Sequence, residues 1–162
     1  SLHLITSSGT VSAALEGAFW GLHAIALSQC VPHDEFAGMV ADRSRVSARW
    51  ERQLRAVGER TVGFIGEIVG QGSAKQGFRP RVANVNFPVH VDADTRVDRT
   101  YPALARSAPL FAEDGSGSGL YRFRYHPGHP DGDNGKSDLN SLEMGHISYS
   151  TLDYSLFANG SD

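Results

Sequence analysis

The run Thr6-Ser7-Ser8-Gly9-Thr10-Val11-Ser12-Ala13-Ala14-Leu15-Glu16-Gly17-Ala18-Phe19-Trp20-Gly21, followed by His23-Ala24-Ile25-Ala26-Leu27-Ser28, decides the architecture. Five small or hydroxyl-bearing residues make a turn, after which Val11, Leu15, Ala18, Phe19 and Leu22 recur at helical steps and predict an amphipathic helix over about 10–21. Gly21 ends the stripe. The nearly continuous apolar run 23–28 then reads as a short strand covered on both faces in a parallel sheet. A helix that feeds a buried strand is the alternation of an α/β protein.

Outward from this block, Pro32 and Asp34 open a charged stretch with apolar residues at Val46, Trp50, Leu54, Val57, Val62, Ile65 and Val69. Most of it should be helical, with a break near Gly58. Gly70-Gln71-Gly72-Ser73 stops it, and Arg81-Val82-Ala83-Asn84-Val85-Asn86-Phe87-Pro88 reads as a second strand closed by a proline. After Pro88 the composition shifts to Asp, Arg, Pro and Gly, with alternating pieces such as Tyr121-Arg122-Phe123-Arg124-Tyr125 that suit exposed hairpins. Gly145-His146-Ile147-Ser148-Tyr149-Ser150-Thr151-Leu152 alternates again and should return as a strand. The expected division is an α/β core portion over 1–88, a β-rich extension over 89–136, and a returning strand and tail over 137–162.

Composition narrows the function. The 162 residues are 40% hydrophobic and 20% charged, with 15 Lys and Arg against 18 Asp and Glu for a net charge of −3. That is one ordinary domain with material for a single core. The chain has no run near the ~20 apolar residues that cross a bilayer, and no signal-peptide pattern opens it. Cys30, the single cysteine, can form neither an internal disulfide nor a thiolate metal site by itself. These features place the chain away from membranes and in the cytoplasm. A slightly acidic balance lacks the basic footprint of a phosphate-backbone binder, so duplex nucleic acid is not an expected partner. Ser1 stands where Met would open a full chain, and Leu2–Ile5 enters at once as an apolar segment, so the sequence reads as the later part of a longer protein.

Ser7-Ser8-Gly9-Thr10 is the best local candidate for chemistry. The first N–H groups of a helix are unpaired and its dipole favours negative charge, so hydroxyls and a glycine beside them make a phosphate cradle. Simple capping by Ser8 or Thr10 is the commoner use of such a turn. His126-Pro127-Gly128-His129-Pro130-Asp131-Gly132-Asp133 offers two imidazoles and two carboxylates to a transition metal, but a solvated turn is the commoner fate of an Asp/Gly/His loop. His3, His23, His33, His90 and His146 are scattered and read as packing or surface residues. Asp92 with Asp94, and Asp34 with Glu35, lie in polar stretches and read as solvated charge. Cys30 follows a buried strand and reads as a small hydrophobe. Arg43, Arg45, Arg49, Arg52 and Arg55 are balanced by Asp42, Glu51 and Glu59, which suits a solvated helix face. Trp20 and Trp50 read as core.

Ser8-Gly9-Thr10-Val11-Ser12-Ala13-Ala14-Leu15-Glu16-Gly17, then Gly21 and Ala24–Ser28, resembles the signature block of the SurE survival-protein family of nucleotidases. Asn84-Val85-Asn86-Phe87-Pro88 is similar to that family's Asn-Ile-Asn-Val-Pro strand. Ser137-Asp138 is similar to its Thr-Asp, and Gly145–Leu152 to its Gly-Tyr-Val-Ser-Ile-Thr-Pro-Leu strand. The order of the pieces is the same, and together they span nearly the whole chain.

The resemblance implies a Rossmann-like, three-layer α/β domain whose first strands lie upstream, with a β-rich extension used in oligomer contacts. It implies a divalent-metal-dependent phosphomonoester hydrolase, a 5'-nucleotidase acting on nucleoside monophosphates as a homo-oligomer of two or four copies. Ser8, Gly9 and Thr10 match the family's phosphate-contacting turn, while Asn86 and Asp138 match recurring positions with a positioning or structural role. The family's metal ligands, a tandem Asp-Asp, a serine and an asparagine in Ser-Gly-x-Asn, have no counterpart in this sequence. Mg²⁺ or Mn²⁺ would then be held by residues upstream, no catalytic or metal residue is assigned within the chain, and the isolated chain should be inactive. The alternative is a binding or assembly module of the same fold without catalysis. Ser7 and His146 stand where the family carries tyrosine, and Thr151 where proline is common.

Overall fold

The structure, a computed structural model, describes residues 8–42, 46–70, 81–103, 105–106, 111–115, 117, 119–123, 129–130 and 135–153. Helix α1 (Gly9–Phe19) leads into β1 (Ala24–Gln29), then α2 (His33–Ala41), α3 (Ala48–Gly70) and β2 (Arg81–Phe87). The segments β3 (Val97–Arg99), β4 (Ala105–Arg106), β5 (Phe111–Glu113), β6 (Tyr121–Phe123) and β7 (His129–Pro130) follow, and α4 (Asp138–Glu143) leads into β8 (Ile147–Asp153). The main sheet has the order β1-β2-β8-β3. β1 and β2 are parallel, β8 runs against β2, and β3 is parallel to β8.

Three layers result, as the Rossmann-like expectation required. On one face, Val11, Ala18 and Leu15 of α1 pack on Ala24 and Ala26 of β1, Val82 of β2 and Leu152 of β8. On the other, Phe64, Ala56, Val57 and Ile68 of α3 pack on Ile25, Leu27, Ala83, Val85, Phe87, Ile147 and Tyr149. The alternation along β2 and β8 divides these clusters, because successive strand residues point to opposite faces. Phe64 is the aromatic centre of the larger core, with ring centroids 6.1 Å from Phe87 and 5.8 Å from Tyr149.

Two of the helix-to-strand corners among the described residues, α1 to β1 and α4 to β8, are set by glycine. Gly21 (φ 80°) and Gly145 (φ 75°) adopt the left-handed conformation that closes a helix. At the first corner Gly21 donates to the Ala18 carbonyl (3.0 Å) and Leu22 to that of Gly17 (3.0 Å). At the second, Gly145 donates to Leu142 (3.0 Å) and His146 to Ser141 (2.9 Å). Each chain reversal therefore satisfies the last carbonyls of its helix while aiming the next strand back along the sheet.

Some expectations hold and others are corrected. The parallel pairing expected of β1 holds with β2, and the sheet is mixed because β8 inserts in the opposite sense between β2 and β3. β1 is an edge strand among the described residues; helices cover both of its faces as expected, although only Ala26 in it is fully buried. The charged stretch does not break at Gly58. It divides earlier, into α2 and α3, where the Ser47 hydroxyl accepts from Trp50 N (3.1 Å) to cap α3 and donates to Glu35 of α2. A helical glycine costs only about 1 kcal/mol, less than the burial of Trp50 and Phe64 on either side of it stabilises. Trp20 is 71% exposed, its indole N–H donating to Glu16 at 2.7 Å, whereas Trp50 is core as expected. The hairpin expected around Tyr121 is present as β5 paired with β6.

Candidate functional site

The helix α1 begins at the Ser8-Gly9-Thr10 turn singled out in the sequence. Ser8 is its N-cap, accepting from Val11 N at 3.3 Å, while Ser12 N donates to the Ser8 carbonyl at 2.8 Å. Capping and anion binding do not exclude one another here. The hydroxyl of Ser8 accepts in the cap and keeps its own hydrogen to donate, and the N–H groups of Gly9 and Thr10, in the first turn, have no partner among the described residues. Gly9 and Thr10 are exposed. A Cβ built on Gly9 would meet nothing within 4 Å. No carboxylate occupies the first turn of α1 to offset the positive end of its dipole there.

α1 runs back along β1, so its first turn lies toward the carboxyl ends of β1 and β2, the end at which open α/β sheets bind ligands. Three polar side chains sit at that end without a partner among the described residues: Ser28, Gln29 and Asn86. Both polar atoms of the Gln29 amide are buried. Asn86 is partly exposed, one residue before the end of β2, and its neighbours Asn84, Val85 and Phe87 are buried. Cys30 follows, its N–H donating to the Phe87 carbonyl at 2.9 Å. Burial pushes its thiol up, away from a reactive thiolate and in keeping with a small packing residue.

Asp138, at the start of α4, bonds to backbone. It is buried, and its carboxylate accepts from Ala103 N (2.7 Å) and Leu139 N (2.9 Å), while its own N–H donates to the Tyr101 carbonyl (2.9 Å). Ser137, equally buried, caps α4 by accepting from Asn140 N at 3.1 Å. Ser137-Asp138 thus fastens residues 101–103 to the start of α4.

A second anchor has no local sequence signal. Asp98 on β3 accepts from His146 Nδ1 (2.8 Å), Ser141 Oγ (3.2 Å) and Arg96 Nε (2.7 Å). Burial pushes the Asp98 carboxyl up, but the bonds from His146 and Ser141 and the nearby Arg96 together outweigh it and hold the carboxyl below its ordinary value. A depressed folded value contributes stability that is present above the unfolded carboxyl value and is lost as pH falls through the folded one. Asp98→Asn should therefore lower urea stability near neutral pH and flatten the acid limb of the curve. Urea midpoints measured from about pH 7 to about pH 2 in both proteins test this, and parallel acid limbs would contradict it.

The other candidates behave as surface or framework. Asp92 accepts from Thr95 Oγ1 (2.8 Å) and Asp94 N (3.0 Å), and the Thr95 hydroxyl is the chief cause of its lowered carboxyl. That turn is held by α3: Arg60 donates to the carbonyls of Ala93 and Thr95, both at 3.0 Å, and Gln53 Oε1 accepts from Val91 N at 2.8 Å. Arg49 approaches His90 at 3.4 Å, while Arg52 and Arg55 are exposed; Arg43 and Arg45 lie outside the described residues. Asp34 and Glu35 occupy the first turn of α2, where they complement its dipole. His23 and His33 are exposed; His3 and His126 lie outside the described residues, as do Asp131 and Asp133, and His129 pairs with Arg106 in the short β4–β7 ladder. Among the described residues no three His, Cys, Asp or Glu side chains are grouped to hold a metal ion, and no helix is long and apolar enough to cross a membrane.

Comparison with known proteins completes the picture. The family profile described as Survival protein SurE matches residues 2–107. Among solved structures, the chain is similar to that of the SurE protein from Aquifex aeolicus, with a TM-score of 0.53 and 20% identity, over 92% of this chain and 52% of that one. At that identity the likeness shows the fold, and the chain spans about half the length of this relative. No curated protein matches it.

Proposed function

The chain belongs to the SurE family, and on that premise we propose that it is the phosphate-holding part of a divalent-metal-dependent phosphomonoester hydrolase, a 5'-nucleotidase acting on nucleoside monophosphates. The observation that carries this reading is the open first turn of α1, with two unpaired N–H groups, two hydroxyls and no carboxylate. The backbone of Gly9 and Thr10 donates to the phosphoryl oxygens, and the Ser8 and Thr10 hydroxyls donate alongside. Donors fixed by a helix need no reorganisation as negative charge grows on those oxygens in the transition state. These groups bind and orient; none of them attacks.

The family resemblance also implies Mg²⁺ or Mn²⁺, which when bound polarises the phosphoryl group and activates a water. The described residues offer no ligand set for it, so the roles assigned to this chain are those of a phosphate cradle alone. Assembly of two or four copies through the 89–136 extension, in the cytoplasm, belongs to the same proposal.

Thr10→Val keeps the size of the side chain and removes one donor. Calorimetric titration with inorganic phosphate should show binding weakened about tenfold, corresponding to about 1.4 kcal/mol for one lost hydrogen bond to a charged group. The circular dichroism spectrum should be unchanged. Equal affinities in the two proteins would remove the phosphate role from this turn.

A further inference from the structure

The phosphate cradle leaves unused two polar side chains that the sheet register brings together beside it. Ser28 of β1 and Asn86 of β2 are direct partners across the parallel ladder. Strand alternation puts both on the face that carries α1, because Ala24 and Ala26 in β1 and Val82 in β2 pack against that helix. Asn84, two residues before Asn86, shows how this face is satisfied elsewhere: it is buried, and its Nδ2 donates to Ser150 Oγ at 3.2 Å. Ser148, the partner of Asn86 on its other side, is fully buried and bonded to Thr100 Oγ1 at 2.8 Å. Within this row Asn86 and Ser28 alone are partly exposed and have no partner among the described residues.

The helix places its phosphate turn over the same spot. The last turn of α1 lies at the start of β1, where a Cβ on Gly17 would be 3.9 Å from that of Ala24. From that contact, the eight steps back to Gly9 rise about 12 Å, and the four from Ala24 to Ser28 about 13 Å, so the first turn of α1 reaches the end of β1 where Ser28 lies. We propose that Asn86 is a ligand-binding residue whose side-chain amide donates to an oxygen of the phosphomonoester held by the α1 turn, with the Ser28 hydroxyl beside it. The proposal rests on the phosphate reading above and adds to the helix end a neutral donor contributed by the sheet. A neutral amide suits the place because it binds an anion without a counter-charge of its own.

The test is a ¹⁵N–¹H titration of the chain with inorganic phosphate and then with a nucleoside monophosphate. The Asn86 side-chain NH₂ signals should shift along the same binding curve as the Gly9 and Thr10 backbone amides. Asn86→Ala should weaken phosphate binding about tenfold and Asn86→Asp more, since a carboxylate repels the anion. Asn86→Ser serves as a second variant should the alanine form fail to fold, and the wild-type side-chain signals need no variant at all. If Gly9 and Thr10 respond while Asn86 does not, the Asn86 assignment falls and the cradle stands. If none of the three responds, both fall.

Discussion

Phe87→Ala should destabilise the chain by about 3–5 kcal/mol, the range for an aromatic side chain removed from a core that cannot collapse around the gap. Phe87 has no exposed surface and lies at the end of β2, between Phe64 of α3 and the 90–95 turn that follows, where Val91 is also core. The cavity would open where strand, helix and turn meet, so no one of them can move in without dragging the hydrogen bonds of the other two. Gln53 and Arg60, which bond the turn, hold that side of the gap open. Small domains are stable by only about 5–15 kcal/mol, so this one change removes a large share. Urea denaturation of the variant beside Trp20→Ala separates burial from mere size. Trp20 is the larger ring but is 71% exposed, and its removal should cost less than about 1 kcal/mol. Equal losses in the two variants would contradict the packing described.

Asp138→Ala should cost about 2–4 kcal/mol, for a different reason. The carboxylate accepts from Ala103 N and Leu139 N from a buried position, and without it the Ala103 N–H is left buried without its acceptor. An orphaned buried donor costs about 1–3 kcal/mol and the lost bond to the Leu139 N–H in the first turn of α4 about 1 kcal/mol more. The loss has an address: amide exchange should accelerate at Tyr101–Ala103 and in α4 before it does in β1 and β2, because the bond fastens residues 101–103 rather than the sheet. Asp138→Asn, which keeps an acceptor oxygen, should lose less than the alanine variant. Uniform acceleration across the sheet would show Asp138 to be part of the global core instead.

What the sequence revealed follows the range over which its signals act. α1, β1, β2 and β8 announce themselves within ten or so residues, through a 3.6-residue stripe, a short apolar run or an alternation, and all four are where those patterns placed them. The corner at Gly21 was equally plain. β3 was not legible, because Val97-Asp98-Arg99 is too short to carry a period and becomes a strand only by pairing with β8, some fifty residues on. The same distance hides the Asp98–His146 pair, which no local motif connects. Trp20 was misplaced for a related reason: helical spacing gives the apolar stripe but not how far round the helix the core reaches. The division of the charged stretch at 42–47 instead of Gly58 turns on the contact of Ser47 with Glu35, twelve residues apart, which outweighs a glycine's modest propensity.

For the candidate site, the turn Ser8-Gly9-Thr10 was legible as a helix start with hydroxyls, and both readings of it, cap and cradle, fit one geometry. Asn86 stood out only as part of a resemblance. Its place beside that turn follows from register and parity, which need the pairing of β1 with β2. Asp138 also stood out only through that resemblance, and its bond from Ala103 N, thirty-five residues away, has no local signal.

The measurement that bears most directly on the phosphate reading is a crystal structure of the chain grown with inorganic phosphate and Mg²⁺ and, separately, with a nucleoside monophosphate. The account predicts the phosphoryl group on the first turn of α1, its oxygens within hydrogen-bond reach of the Gly9 and Thr10 amides and the Ser8 and Thr10 hydroxyls. A phosphate bound elsewhere at full occupancy, with that turn left open to solvent, would contradict it.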